Sequence, residues 1–148
     1  MLSINLLCLI LNPMTSQEET IEELCHLDQL GWEDLLTVSR QHGVESLVYS
    51  KLKRLSREVT IPTGIQATLR QVFLSATRRN MLVLHQAGTL LNAIKAAEID
   101  VIGLKGIYLV ENIYQAIGHR SFCDVDMLVR NGDLQLAIEC LEALGYQL

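Results

Sequence analysis

Two aspartates separated by one residue, Asp124-Val125-Asp126, stand inside an otherwise apolar run over residues 122–129. In a strand, side chains at i and i+2 share a face. Two carboxylates held that close resist joint ionisation unless a cation neutralises them. Mg²⁺, or Mn²⁺ in its place, takes one or two protein carboxylates and completes its shell with water and phosphate oxygens. The spacing therefore predicts a divalent-metal site with Asp124 and Asp126 as ligands and as the acids of any chemistry there. An isolated Asp-x-Asp pair is more often a solvated feature of a half-exposed strand. Aspartate is depleted in strands, however, so a pair of them within an apolar run needs a reason.

Two further groups have the chemistry of anion binding. Lys105-Gly106 joins an apolar run to a helical pattern. Gly106 can let backbone N–H groups approach an anion at a helix N-terminus, and Lys105 adds a point charge suited to phosphate. The alternative is an ordinary strand–helix turn with a solvated lysine. In Gly118-His119-Arg120, Arg120 can bind phosphate or hold a carboxylate in place, and His119 can titrate near neutral pH or sit incidentally on a surface loop. His26, His42 and His85 fall on helical patterns and read as structural or solvated, and Arg78-Arg79 as a solvated helix face. No Ser/His/Asp or Cys/His set supports nucleophilic catalysis.

These residues need elements to position them. From the N-terminus, apolar residues recur at helical spacing: Leu6, Leu7, Ile10 and Leu11 before Pro13, then Ile21, Leu24, Cys25 and Leu27 after a cap at Thr15 or Ser16, with Gly31 as the expected end of that helix. Trp32, Leu35, Leu36 and Ser39 mark a third helix stopped by Gly43, and Leu47, Val48, Leu52 and Leu55 a fourth, before a connector over residues 59–62. The longest stripe covers residues 65–97 and comprises Leu69, Val72, Phe73, Ala76, Asn80, Val83, Ala87, Leu90, Leu91 and Ile94, with Gly88 as a point where the helix can bend. The pattern then changes. Asp100-Val101-Ile102-Gly103-Leu104 reads as a strand, residues 107–116 as a helix, residues 122–129 as a second strand, and Leu134 to Leu144 as a last helix capped by Asp133 and ended by Gly145. The expected fold class is α+β: an N-terminal helical bundle, residues 1–98, followed by a partial α/β core of strand–helix–strand–helix over residues 99–148.

Composition bounds what such a site can serve. The chain has 148 residues, a net charge of −5 and only 5% aromatic residues, so the core is aliphatic and a broad nucleic-acid surface is not expected. A small anion pocket is compatible with that balance, because local charge can differ from the net value. Cys8, Cys25, Cys123 and Cys140 lack metal-ligand spacing and read as reduced, half-buried thiols of a cytoplasmic protein. The apolar stretch over residues 1–11 is too short to span a bilayer and lacks a basic start and a small-x-small cleavage site; it reads as the start of a buried helix, with a signal peptide as the alternative, and no membrane association is expected.

The stretch Val101-Ile102-Gly103-Leu104-Lys105-Gly106, with Tyr114, Gly118, Arg120, Asp124-Val125-Asp126-Met127-Leu128-Val129, Leu141 and Gly145-Tyr146, resembles the uncharacterised bacterial nucleotidyltransferase family of the polymerase-beta-like superfamily. Upstream, Trp32 with Leu35-Leu36, His42-Gly43-Val44, Tyr49, Pro62 and Arg79-Asn80 resemble that family's helical N-terminal region. The resemblance implies metal-dependent transfer of a nucleotidyl group from a nucleoside triphosphate to an acceptor, by in-line displacement between two metals. It implies that Asp124 and Asp126 hold Mg²⁺, that Lys105 and Gly106 lie near the triphosphate and that Arg120 orients the site. The wider superfamily has Gly-Ser or Gly-Gly in its loop, closer to the acidic pair, and a third carboxylate on a later strand. The expectation is thus a C-terminally truncated core with two acids of three, whose open sheet edge a further polypeptide would complete. The alternatives are a non-catalytic nucleotide-binding or protein-interaction remnant of the fold, and a purely helical interaction module.

Overall fold

The computed structural model describes residues 2–114 and 116–147. Met1 of the apolar N-terminal stretch, Gln115 of the helix expected over residues 107–116, and Leu148 lie outside the described residues. Among the described residues, seven α-helices and two short strands follow one another as α1 (Leu2–Leu11), α2 (Gln17–Cys25), α3 (Gln29–Gln41), α4 (Glu45–Leu55), α5 (Thr63–Ala96), β1 (Val101–Gly103), α6 (Lys105–Asn112), β2 (Met127–Val129) and α7 (Leu134–Ala143). Single 3₁₀ turns occupy Ile117–His119 and Asn131–Asp133. The chain is mostly helical with one antiparallel two-stranded sheet, an α+β composition.

Local chemistry accounts for several helix ends. Ser16 Oγ accepts the Glu19 N–H at 3.1 Å and starts α2, while Asp28 Oδ1 accepts the Gly31 N–H at 2.8 Å and starts α3. Each satisfies an N–H that the first helical turn leaves without a partner. Gly31 therefore lies in the first turn of α3 and does not end the preceding helix, as its residue type had suggested; Asp28 captures it. At the other end of α3, Gly43 takes φ 64°, the Val44 N–H reaches Ser39 O at 2.9 Å and the Gly43 N–H reaches Arg40 O at 3.1 Å. That is the left-handed C-terminal cap for which glycine is suited. Glu98 closes α5 with the same pair of bonds, at φ 57° and without the help of a glycine. α5 itself runs through Gly88 uninterrupted, and at 34 residues its length is about 50 Å.

The chain divides into two compact units, Met1–Ala76 with Gly118–Arg120, and Thr77–Ile117 with Ser121–Leu148. The change of sequence pattern near residue 98 marks where helical periodicity yields to strands; the division by contact falls inside α5. The first unit is a helical bundle around Leu7, Ile10, Leu24, Trp32, Leu35, Val48, Leu52, Leu55 and Leu69. Residues 118–120 are tied to it through an aromatic series: Tyr49 and Phe73 have ring centroids 5.2 Å apart, and Phe73 meets His119 edge-on at 6.2 Å.

The second unit packs around the C-terminal half of α5. One cluster joins Ala87 to Ile107, Val110 and Phe122. The other joins Leu90, Ile94 and Ile99 to Ala137 of α7, with Val101, Met127 and Val129 of the hairpin against it. In the antiparallel sheet Val101 faces Val129, Ile102 faces Leu128 and Gly103 faces Met127. Strand alternation sends Val101, Met127 and Val129 inward and leaves Ile102 and Leu128 side by side on the outer face, 60% and 54% exposed.

Four further sequence expectations change here. The second strand covers Met127–Val129 and not residues 122–129, because β1 presents only three residues for pairing before the chain turns into α6. The helix expected from residue 107 begins at Lys105 and ends at Asn112. Asp133 occupies the start of α7 but makes no side-chain cap bond; the preceding 3₁₀ turn holds it in a helical backbone conformation, and a cap residue needs an extended one. Cys8, Cys25 and Cys123 are exposed rather than half-buried, and all four thiols are free. Among the described residues, no helix is long and apolar enough to cross a membrane.

Candidate functional site

The segment that carries the acidic pair is held at its start by an asparagine. Asn80 lies on the buried stripe of α5, fully enclosed, where an amide must find partners. Its Nδ2 donates to the Ile117 carbonyl, and its Oδ1 accepts the Phe122 N–H at 3.3 Å. One side chain thus fixes two points of the chain that are close to the acids. Phe122 is in turn buried against Ala87, Ile107 and Val110. In the sequence Asn80 appears as one more member of an apolar stripe and, with Arg79, among the residues that carry the family resemblance. A polar residue at a core position was the available signal for its role.

Gly106, in the first turn of α6, faces Phe122. A Cβ at position 106 would lie 2.9 Å from Phe122 Cβ and 3.0 Å from its Cγ, closer than such atoms approach. Glycine is required here for close packing of the start of α6 against the segment leading to the acids. The sequence reading assigned it to backbone approach by an anion. The packing reason stands by itself, whatever Gly106 does toward a ligand.

Beyond Phe122 the chain has no regular secondary structure through Asp124 to Asp126, and Asp124 is exposed. The same-face argument from strand alternation therefore does not apply to the pair, since Asp124 and Asp126 both precede β2. Asp126 is half-buried and is tied to the β1–α6 junction at two levels. The Leu104 N–H donates to Asp126 O at 2.9 Å, extending the sheet by one bond. The Lys105 ammonium then lies 3.1 Å from Asp126 Oδ2. Lys105 itself has φ 47°, a left-handed conformation costing a residue with a Cβ about 1–2 kcal/mol. The lysine expected at an anion and the aspartate expected at a cation are direct neighbours.

Arg120 and His119 belong to the first unit. Arg120 is exposed after the 3₁₀ turn. His119 is partly enclosed beside Phe73, and that burial, with the Arg54 guanidinium as a second cause, lowers its pKa below the ordinary 6.5. It is thereby kept neutral at physiological pH and is a packed residue of the bundle as well as a titratable one.

Among the described residues, no three His, Cys, Asp or Glu side chains gather into a group that could hold a metal ion. A cation at the acidic segment would draw two ligands at most from Asp124 and Asp126, the rest coming from water or a bound substrate. The position is nonetheless one that accepts positive charge, since a lysine ammonium already stands at Asp126.

Comparison of the chain with curated proteins and with solved structures finds no match to either. Residues 28–148 match the family described as uncharacterised nucleotidyltransferase, a span that takes in the helical region from Asp28 onward, the lysine, the asparagine and both aspartates. The chain belongs to that uncharacterised nucleotidyltransferase family.

Proposed function

We propose that this chain binds a nucleoside triphosphate with a divalent cation and transfers its nucleotidyl group to an acceptor, with Asp126 and Asp124 as the cation's protein ligands. The observation that supports this most directly is the placement of Lys105 beside Asp126 in a chain of this family. It brings an ammonium and a carboxylate to one point of the β1–α6 junction. A magnesium–triphosphate complex presents both charges together.

The donor set suits Mg²⁺ or Mn²⁺ bound mainly through water and phosphate oxygens. When bound, such an ion neutralises charge on the phosphates and favours displacement at phosphorus. The chain's own residues do the positioning. Asn80 and Phe122 hold the acidic segment, the Leu104–Asp126 backbone bond sets its register against β1, and Lys105 supplies a charge for the β- or γ-phosphate. In the transfer, the acceptor's nucleophile bonds to the α-phosphorus, the bond from that phosphorus to the bridging oxygen breaks, and pyrophosphate leaves. The acceptor and the base are left open. A cytoplasmic setting, where nucleoside triphosphates are plentiful, belongs to the same proposal.

The test is calorimetric titration of the chain with each of the four nucleoside triphosphates, in Mg²⁺ and again in EDTA. Saturable binding that requires Mg²⁺ is the expected result. Absence of binding at millimolar nucleotide in Mg²⁺ would overturn the reading for this chain.

A further inference from the structure

We propose that Lys105 is a built-in occupant of the cation position at Asp126, released to the triphosphate when metal and nucleotide arrive together, so that free divalent cation is held weakly. The inference rests on the reading of Asp126 as a metal ligand and adds a dependence between the two ligands of that site.

Four observations carry it. The Lys105 ammonium lies 3.1 Å from Asp126 Oδ2, inside the space a divalent ion on that oxygen would occupy or repel. The pairing is reinforced by the adjacent Leu104–Asp126 backbone bond, so the two residues are brought together by register and do not meet by chance of side-chain reach. Lys105 holds a left-handed backbone at φ 47°, and such strained positions persist only where neighbouring contacts over-determine them and cluster at binding sites. Finally, the lysine side chain is 71% exposed against 33% for the aspartate. The cation is therefore the mobile partner and the carboxylate the fixed one. A lysine on its flexible stem can swing without disturbing the fold.

The consequence is a coupling between ligands. A metal ion arriving alone must displace an ammonium from Asp126 and leave it nearby as a like charge. One that arrives on a triphosphate offers Lys105 new anionic oxygens in exchange. Removing the lysine charge should then have opposite effects on the two ligands, which neither a simple phosphate-binding lysine nor a structural ion pair would show.

The experiment measures Mn²⁺ binding to the full chain without nucleotide, by electron paramagnetic resonance of the free ion. The variants are Lys105→Met, Lys105→Arg, Asp126→Asn and, as a control of equal charge change on the same hairpin, Arg130→Met. Arg130 pairs with Asp100 at 2.9 Å at the other end of the hairpin. Lys105→Met is expected to tighten Mn²⁺ binding three- to tenfold, the scale set by the loss of an exposed ion pair and a nearby like charge. Lys105→Arg and Arg130→Met should stay within about twofold of the parent, by the same weak surface coupling, and Asp126→Asn should lose the site. With Mn²⁺ saturating, Lys105→Met should weaken triphosphate binding about tenfold, as expected for a lost charged contact. Mn²⁺ binding that depends on Asp126 but is unchanged or weaker in Lys105→Met, or that tightens equally in Arg130→Met, would overturn the exchange and leave the metal site standing. Absence of Asp126-dependent Mn²⁺ binding in parent and Lys105→Met alike, with or without triphosphate, would overturn the metal-site reading itself.

Discussion

The Lys105 ammonium stands 3.1 Å from the Asp126 carboxylate, and the backbone N–H of the residue before that lysine donates to Asp126 O. The ion pair is partly exposed, and such pairs contribute no more than about 1 kcal/mol to folding. Replacing Asp126 by alanine is expected to change the urea midpoint by little, within about 0.5 kcal/mol on the scale of surface substitutions, because the backbone bond survives. The same variant is expected to lose Mg²⁺-dependent nucleotide binding. Calorimetry on the folded variant checks this; undiminished binding would remove Asp126 from the site.

Gly106→Ala is expected to destabilise the chain by about 1–3 kcal/mol, the usual range for overpacking, since the added Cβ meets Phe122 Cβ at 2.9 Å. Phe122→Ala should not rescue it, because the collision begins at a Cβ that alanine retains. Chemical denaturation of the two single variants and the double variant decides the matter. A Gly106→Ala chain as stable as the parent would mean that the Phe122 segment yields easily.

Asn80→Ala is expected to cost about 1–3 kcal/mol, the penalty for leaving buried polar groups without partners, because it removes both the acceptor of the Phe122 N–H and the donor to Ile117. Asn80→Asp keeps the acceptor and loses the donor. It is expected to retain slow amide exchange at Phe122, while Asn80→Ala gives fast exchange there. Equal exchange at Phe122 in both variants would show that the asparagine does not secure the acidic segment.

His119 gives the first unit a pH-dependent contribution to stability. Its pKa is lowered in the folded chain, first by burial and then by Arg54, so the unfolded chain binds more protons than the folded one at mildly acid pH. By linkage, stability then rises with pH. The contribution is neutral above the unfolded value near 6.5 and becomes a penalty as the pH falls from there through the lowered folded value. Thermal midpoints measured at pH 7.5 and pH 5.5 should therefore differ more in the parent than in His119→Gln. Parallel pH profiles would remove His119 as the cause.

Sequence alone determined what depends on neighbours along the chain. The long stripe from Leu69 to Ile94 became α5 because one helical face must be apolar to be buried, and six of its residues named at the outset are buried. Ser16, Gly43 and Gly145 act as the helix boundaries their types imply, since a side-chain oxygen or a left-handed backbone serves the few residues beside it. The two apolar runs and the lysine and aspartates they carry were legible for the same reason, as was the family. Tertiary structure alone decided how far each strand extends, because a strand lasts only while a partner offers bonds, and β1 offers three residues. It turned Asn80 from a member of a stripe into the clamp on Ile117 and Phe122. It gave Gly106 a packing reason that depends on Phe122 being opposite. And it set Lys105 on Asp126, a pairing no spacing rule contains, because antiparallel register and a left-handed turn at the lysine bring two distant charges to one point.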